Sequence, residues 1–163
     1  RKATVDDAAA MLDYLNIVGG ESDNLLFGEK GFAHVSIEKE AQIITSMNES
    51  DKNIMLLGMV DGEIASIASL QGFTRDRIAH RGSIAITVKK KYWNQGIGSQ
   101  MMKELISFGR LAGMTVLELQ VKEDNIQAIA LYKKFGFKEI GVYERFFYIN
   151  GTYFDALLMN LYL

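Results

Sequence analysis

One stretch of the sequence, residues 87–102 (TVKKKYWNQGIGSQMM), constrains the fold more than any other. The residues that lead into it alternate, with Ile84, Ile86 and Val88 on one face, as in a strand. The residues after the turn place apolar side chains every three or four positions, as in an amphipathic helix. The stretch therefore predicts a strand that runs through a tight turn into a helix beginning near Gln95.

The turn contains Gly96 and Gly98 and no acidic residue. The glycines let the backbone approach a ligand closely, and the helix start offers unpaired N–H groups and the positive end of the helix dipole. A phosphate or pyrophosphate fits such a turn without any charged side chain. The glycines can also serve only to permit a tight connection, and the turn alone does not separate these two interpretations.

The rest of the chain divides into helical and strand-like patterns. Asp61-Gly62 and Asn150-Gly151 each separate two strand-like runs and suit the positive φ angles of hairpin turns. Gly113 and Gly136 end helical patterns, and Asp124 is the expected cap of the last helix. The predicted helices cover residues 6–18, 36–47, 95–112 and 124–135, and the predicted strands cover residues 54–60, 63–71, 82–88, 115–121, 137–149 and 152–163.

The order strand, glycine turn, helix, strand predicts a parallel pair formed by residues 82–88 and 115–121, joined by a right-handed crossover. We therefore expect a mixed α/β fold that forms a single domain over residues 1–163. Its central sheet should have about six to seven strands, antiparallel at both ends around the parallel pair, with helices on both faces. The glycine turn then lies at the carboxyl end of a parallel strand, where open α/β sheets bind ligands.

Composition argues against several classes of function. A net charge of −2 gives no general attraction to nucleic acid or to anionic membranes, and no apolar run approaches the roughly 20 residues that span a bilayer. Cysteine is absent, which removes thiolate nucleophiles and cysteine zinc sites, and His34 and His80 are too few for a metal site. We therefore expect a soluble, cytoplasmic protein without a metal and without nucleic-acid or membrane partners.

Three phosphate ligands compete for the glycine turn. A P-loop requires G-x-x-x-x-G-K-[ST], which the chain lacks. A dinucleotide-binding fold requires a third glycine three residues after Gly98, where this chain has Met101, although Glu118 lies about where a ribose-binding acid is found. Both of these ligands are disfavoured, and the third candidate, coenzyme A, depends on a family resemblance.

Two segments resemble the signature motifs of the GNAT superfamily of N-acetyltransferases. The first is residues 84–100, and the second is Asn125-x-x-Ala128-x-x-Leu131-Tyr132-x-x-x-Gly136-Phe137. A strand separates the two segments, and the order of elements matches the family along the whole chain. The resemblance implies a GNAT-like fold with acetyl-CoA as cosubstrate and an amine as acceptor.

The resemblance also implies a donor site. In the family the pantetheine arm pairs with the backbone of the strand before the glycine turn, which matches Ile86 and Val88 here. Asn125 would contact the pantetheine amide or hold a water, or would serve only as a helix cap. The residues expected to bind acetyl-CoA are Ile86, Thr87, Val88, Asn94, Gln95, Gly96, Ile97, Gly98, Ser99, Asn125 and Tyr132.

One position departs from the family pattern. The family usually has Arg or Gln three residues before the first motif glycine, and this chain has Trp93 there. Backbone N–H groups make most of the contacts to the pyrophosphate in the family. The departure at Trp93 therefore leaves open only which side chain screens the charge of the pyrophosphate. Lys89, Lys90 and Lys91 are candidates, and each can equally be a solvated lysine at a strand end.

By the same resemblance Tyr132 is the general acid. A phenol with a pKa near about 10 stays protonated at neutral pH and can hydrogen-bond to, or protonate, the sulfur of a leaving thiol whose pKa is near about 8.5. At helical spacing beside Leu131 and Phe135, the same residue can be an ordinary core aromatic. We expect the catalytic role.

No carboxylate is singled out by spacing as the general base, which an amine of pKa near about 10.4 requires. Glu21 and Asp23 follow the first helix, Glu144 and Asp155 lie in the last hairpin, and His80 precedes the donor strand. We take Glu21 as the first candidate for a base or an acceptor contact, and a water chain is the alternative.

Family analogy builds the acceptor site from the first-helix region and the final hairpin. The acidic and aromatic side chains there suit a cationic amine such as a polyamine, whereas Arg145 suits an acceptor with a carboxylate. The residues concerned are Glu21, Asp23, Phe27, Tyr143, Arg145, Phe146, Phe147, Tyr148 and Asp155.

The expected function is transfer of the acetyl group of acetyl-CoA to a primary amine by direct attack in a ternary complex. The acceptor could be an amino acid, a polyamine, an antibiotic or a protein N-terminus. The alternative is a non-catalytic coenzyme-A-binding or sensor domain. The apolar residues 157–162 complete the core or pair with a second subunit, which would give a homodimer.

Overall fold

The computed structural model describes all 163 residues as four helices around one six-stranded sheet. Three short 3-10 turns, at Val5–Asp7, Asp76–Ile78 and Lys90–Tyr92, connect these elements. The helices are α1 (Ala8–Val18), α2 (Ile37–Glu49), α3 (Ile97–Leu111) and α4 (Ile126–Lys134). The strands are β1 (Asn53–Val60), β2 (Glu63–Gly72), β3 (Arg81–Val88), β4 (Val116–Lys122), β5 (Lys138–Ile149) and β6 (Thr152–Tyr162).

The strand order across the sheet is β1-β2-β3-β4-β6-β5. Only β3 and β4 run parallel, and every other neighbouring pair is antiparallel. The expected mixed sheet with a parallel central pair is therefore confirmed, with six strands. No helix is both long and apolar enough to cross a bilayer.

Helices cover both faces of the sheet, because successive strand residues point to opposite sides. Leu56 of β1 packs in the larger apolar cluster with α3 and α4, whereas the next residue, Leu57, packs in the smaller cluster with α1 and α2. Both predicted hairpin turns are present, since Asp61 and Gly62 have φ values of 49° and 80°. Asn150 and Gly151 have almost the same values, 49° and 82°.

Two predicted helix starts were wrong. α3 begins at Ile97 rather than near Gln95, because Asn94 and Gly96 have φ values of 61° and 83° and so cannot continue a right-handed helix. α4 is capped by Asn125, whose Oδ1 accepts the Ala128 N–H at 3.2 Å. The expected cap, Asp124, instead forms an ion pair with Lys122 at 2.5 Å.

The last strand of the chain is part of the core. Met159 is fully buried and Leu161 is 8% exposed, whereas β5, at the edge of the sheet, is exposed over most of its length.

The β5 strand bulges between Tyr143 and Phe147. Arg145, inside this bulge, has a φ of 53°, and its N–H donates to the Asp155 carboxylate at 2.8 Å.

The parallel pair at the centre of the sheet is only partly formed. Residues Arg81, Gly82 and Ser83 of β3 pair with Val116, Leu117 and Glu118 of β4, and the pairing stops there. We call this paired part, residues 81–83 and 116–118, the closed half. The remaining residues, 84–88 and 119–122, form the open half, where the two strands separate.

Candidate functional site

A cleft of about 240 Å³ lies beside the open half. The end of β3, the turn into α3, the first residues of α4 and the loop after α1 form its walls. None of the nineteen lining residues carries a formal charge, so the lining is apolar and neutral-polar. A ligand with negative charges must therefore rely on backbone dipoles here, or on cations at the rim.

The edge of β3 offers backbone hydrogen-bonding groups to this cleft. The Lys89 N–H donates to Ala65 of β2, whereas the His80 carbonyl accepts from residues 115 and 116 on the β4 side. Because backbone groups alternate along a strand, those of Ile86 and Val88 point towards β4, which has already separated from β3. The Val88 carbonyl accepts the indole N–H of Trp93 at 2.7 Å. The backbone groups of Ile86 are left for an extended ligand.

The glycine turn supplies unused N–H groups at the other wall. Gln100 donates the first hydrogen bond of α3 to Gly96, so the N–H groups of Ile97, Gly98 and Ser99 have no acceptor within the helix. Gly96 adopts a φ of 83°, which a residue with a side chain would rarely adopt. A Cβ on Gly98 would lie 3.3 Å from the Leu131 side chain, so glycine also lets α4 pack closely against the turn.

Tyr132 of α4 lies at the inner wall of the cleft. It is 9% exposed, its ring packs 5.9 Å from that of Phe137, and it also belongs to the larger apolar cluster. Burial raises the pKa of Tyr132 to about 12. Its hydroxyl has no hydrogen-bond partner within the protein. Tyr132 is therefore a core residue whose hydroxyl is still free to bond a ligand.

The structure brings the expected donor-site residues together with one exception. Ten of the eleven line the cleft, and Gln95 does not, because its side chain donates to the Lys91 carbonyl at 2.9 Å on the exposed side of the turn. Asn125 both caps α4 through Oδ1 and lines the cleft, which leaves its side-chain N–H groups free.

The first-helix region was expected beside the site, but the four residues that line the cleft there were not named. Val18, Ser22, Asn24 and Leu25, from the end of α1 and the loop after it, line the cleft opposite α4. Tyr14 of α1 belongs to the same apolar cluster as Val18 and Leu25, and its hydroxyl donates to Thr87 Oγ1 of β3 at 3.0 Å. No local pattern distinguishes individual small polar residues in a loop, so the sequence did not indicate which of them line the cleft.

Several candidates for the general base have structural partners. Glu21 does not line the cleft, and its Oε2 accepts the Lys90 N–H at 2.7 Å, which ties the loop after α1 to the end of β3. Asp155 accepts the Arg145 N–H and so fixes the bulge of β5. Asp23 and Glu144 are exposed and do not line the cleft.

His80 was a wrong candidate for the base. Its carbonyl bonds to the start of β4, at the opposite end of β3 from the glycine turn. Ile86 is the first residue of β3 that lines the cleft, and it lies six residues after His80, which is about 20 Å along an extended strand.

The three lysines before the turn have different surroundings. Glu63, the first residue of β2, pairs with Lys89 at 2.5 Å and with Lys91, and it accepts the Tyr92 hydroxyl at 2.9 Å. Lys89, and then Lys91, hold the pKa of the Glu63 carboxyl at about 2, so this carboxylate stays ionised. Lys90 has no ion pair, and its Nζ lies 6.0 Å from the centre of the Trp93 ring.

Comparison with known proteins identifies relatives that share this architecture. The model of the Acetyltransferase (GNAT) family matches residues 25–137. The crystal structure of a GNAT-family acetyltransferase from Streptococcus pneumoniae superimposes with a TM-score of 0.96 at 33% identity, covering 100% of this chain and 98% of that one.

Two further relatives are informative. L-amino acid N-acetyltransferase AaaT of Escherichia coli is 31% identical over 105 residues, which is 64% of this chain and 65% of that protein, so the match spans slightly less than two thirds of the relative. The structure of yncA from Salmonella typhimurium with its cofactor acetyl-CoA has a TM-score of 0.86 at 18% identity, covers 100% of this chain and 92% of that one, and supports the fold alone. The family model and the Streptococcus pneumoniae structure together show that this chain belongs to the GNAT acetyltransferase family.

Proposed function

We propose that this protein is an N-acetyltransferase that moves the acetyl group of acetyl-CoA to a primary amine by direct attack in a ternary complex. The observation that carries the proposal is the meeting, in one cleft, of a free strand edge, a turn with unused N–H groups and the hydroxyl of Tyr132. A thioester with a long amide-containing arm and a phosphate-rich end has the shape and chemistry that these three features complement.

Each feature has a role in holding the donor. The N–H groups of Ile97, Gly98 and Ser99, at the positive end of α3, bind the diphosphate in this proposal. The backbone groups of Ile86 suit the amides of the pantetheine arm, as an added strand would. The side-chain N–H groups of Asn125 are placed to bond a carbonyl of the same arm.

The pKa of Tyr132 separates two versions of its role. Because burial raises the pKa of Tyr132 to about 12, full proton transfer from this phenol to a thiolate, whose ordinary pKa is about 8.5, is unfavourable. A hydrogen bond from the neutral phenol to the sulfur requires no transfer and strengthens as negative charge develops when the C–S bond breaks. Tyr132 therefore acts chiefly as a hydrogen-bond donor to the leaving thiolate, which then takes its proton from water.

The acceptor amine enters, in this proposal, from the side of the loop after α1. Ser22 and Asn24 line that side and can hydrogen-bond an uncharged amine, while no charged side chain lies inside the cleft. Glu21 stays a candidate for the base, with one carboxylate oxygen already occupied by the Lys90 N–H. Because the lining neither attracts nor repels charge strongly, an amino acid, as named for the Escherichia coli relative, is the first acceptor to test.

Thiol release from acetyl-CoA with a panel of amines tests the function. The panel contains L-amino acids, spermidine, an aminoglycoside and a peptide with a free N-terminus. The Tyr132→Phe variant is expected to lower kcat roughly tenfold to a hundredfold, because one hydrogen bond to a charged leaving group is lost, with KM for acetyl-CoA changed less than about twofold. An unchanged kcat would remove Tyr132 from the mechanism.

One further result would change the proposal itself. Binding of acetyl-CoA with no transfer to any amine would favour the non-catalytic coenzyme-A-binding alternative. A homodimer stays a separate prediction, and the exposed β5 edge is the surface through which a second copy could pair. The molar mass in solution, measured by light scattering across a range of concentrations, tests it.

A further inference from the structure

The neutral lining of the cleft creates a problem for a phosphate-rich donor. The diphosphate and the 3′-phosphate of acetyl-CoA carry several negative charges, and none of the lining residues carries a positive one. The unused N–H groups of α3 supply only partial charges, which act within the first turn. Any full positive charge beyond these dipoles comes from a side chain at the rim, and the segment that enters the glycine turn carries three lysines.

Two of these lysines are paired with one carboxylate. Lys89 is 9% exposed and pairs with Glu63 at 2.5 Å, and Lys91 pairs with the other oxygen of Glu63. The Glu63 carboxylate is also bonded by the Tyr92 hydroxyl, so it is fixed at the start of β2. To use either ammonium group, a ligand would have to compete with a carboxylate that is already in place.

The third lysine is free and is held at the rim. Lys90 is exposed and has no ion pair, and Glu21 contacts its backbone N–H rather than its ammonium group. Its Nζ lies 6.0 Å from the centre of the Trp93 ring, within the range of a cation–π contact. Trp93 itself lines the cleft and is anchored by its indole N–H to the Val88 carbonyl. The Lys90 ammonium therefore lies near a ring that lines the cleft.

We propose that Lys90, next to the Trp93 ring, supplies the side-chain positive charge that binds the diphosphate of the donor. Lys89 and Lys91 do not bind the diphosphate, because both are paired with Glu63. The inference rests on the proposed use of acetyl-CoA and assigns one residue within that site. It also explains how a chain with Trp93 at this position provides a cation: the tryptophan carries none, but it positions the lysine three residues earlier.

Calorimetric titration of acetyl-CoA into four proteins tests the assignment. Lys90→Gln is expected to weaken binding about tenfold, because one rim charge acting at short range is lost. Lys91→Gln removes the same formal charge one position away and is expected to change the affinity less than about twofold, since that charge is already paired with Glu63. Lys90→Arg keeps the charge and should stay close to the native protein.

Ligands without particular phosphates locate the contact. S-acetylpantetheine has no phosphate, so Lys90→Gln should not weaken its binding. The 3′-dephospho form of acetyl-CoA keeps the diphosphate, so the tenfold loss should persist with it. The native affinity for acetyl-CoA should also fall more steeply with added salt than the affinity of Lys90→Gln.

The outcomes separate this inference from the function on which it rests. Equal losses in Lys90→Gln and Lys91→Gln, or no loss in either, would overturn the role of Lys90 while leaving acetyl-CoA as the donor. A loss that disappears with the 3′-dephospho form would overturn the diphosphate as its ligand. Native protein that binds no acetyl-CoA would overturn the proposed function itself.

Discussion

In the closed half of the central strand pair, β3 lies directly against β4, and Arg81 forms an ion pair with Glu118 across the two strands. In the open half, a few residues further along, β3 keeps its pairing with β2 but has lost β4. The same two strands thus form a packed element at one end and a binding cleft at the other.

The residues of the two halves differ accordingly. In the closed half, Gly82 leaves room for Met114, since a Cβ there would lie 2.7 Å from the Met114 sulfur, and Leu117 is fully buried. Beside the open half, Thr87 of β3 and Tyr132 of α4 both line the cleft. The site therefore arises where regular pairing stops, because only there do backbone donors and acceptors remain available to a ligand.

The largest effect is expected from a cavity in the closed half. Leu117→Ala removes a fully buried side chain that packs against Gly109, and it should lower the free energy of unfolding by about 3–4 kcal/mol. Urea denaturation measures this loss, and titration with acetyl-CoA under native conditions should give an affinity within about twofold of the native value. A much weaker affinity in the folded variant would mean that the two halves are not separable.

The reciprocal change, in the glycine turn beside the open half, should abolish binding and spare the fold. Gly98→Asp places a carboxylate in the first turn of α3, where it favours the helix dipole but repels a phosphate at the same N–H groups. Acetyl-CoA affinity is expected to fall a hundredfold or more, about 3 kcal/mol, with little change in Tm. Gly98→Asn is the matched control, because it has nearly the same size without the charge and should lose far less affinity. Equal losses in the two variants would indicate that bulk against Leu131, rather than charge, excludes the ligand.

The sequence was most informative where structure is set locally. Asp61-Gly62 and Asn150-Gly151 specify hairpin turns with residues that accept positive φ, and the structure has both turns. The glycine turn could be located for the same reason, although the start of α3 could not, because Asn94 also adopts a positive φ there. Short-range steric preferences thus fixed the order and type of the elements.

The remaining parts of the site depend on contacts between distant residues. Tyr14 supports Thr87 across a sequence separation of 73 residues, and Glu63 reaches Lys89 and Lys91 from separations of 26 and 28 residues. Three adjacent lysines look equivalent in the sequence. They differ in the structure because Glu63, directly after the hairpin turn between β1 and β2, pairs with Lys89 and Lys91 and not with Lys90. The separation of β3 from β4 likewise has no local signal, since both strands alternate normally.

A smaller effect concerns the two tyrosines on opposite faces of the open half. Burial raises the pKa of Tyr14, and that of Tyr132, to about 12, compared with about 10 for a free tyrosine. Because the folded-state pKa is raised, the stability that each contributes is complete below about pH 10 and is lost as the pH rises through about 12, by about 2 kcal/mol each. Absorbance of tyrosinate during an alkaline titration should show two late groups, and one should disappear in Tyr14→Phe and the other in Tyr132→Phe. Ionisation of both near pH 10 in folded protein would mean that water enters the open half on both faces.

The smallest effect tests whether the closed half sets the width of the cleft. The Arg81 and Glu118 side chains are about a quarter exposed, so a double-mutant cycle with Arg81→Met and Glu118→Met should give a coupling energy of about 1 kcal/mol or less in urea denaturation. If the packing of α3 and α4 fixes the angle between the strands, neither variant should change acetyl-CoA affinity more than about twofold. If the ion pair fixes that angle, affinity should fall in step with the coupling energy. In that case the closed half would act on the ligand through strand geometry, although none of its residues lines the cleft.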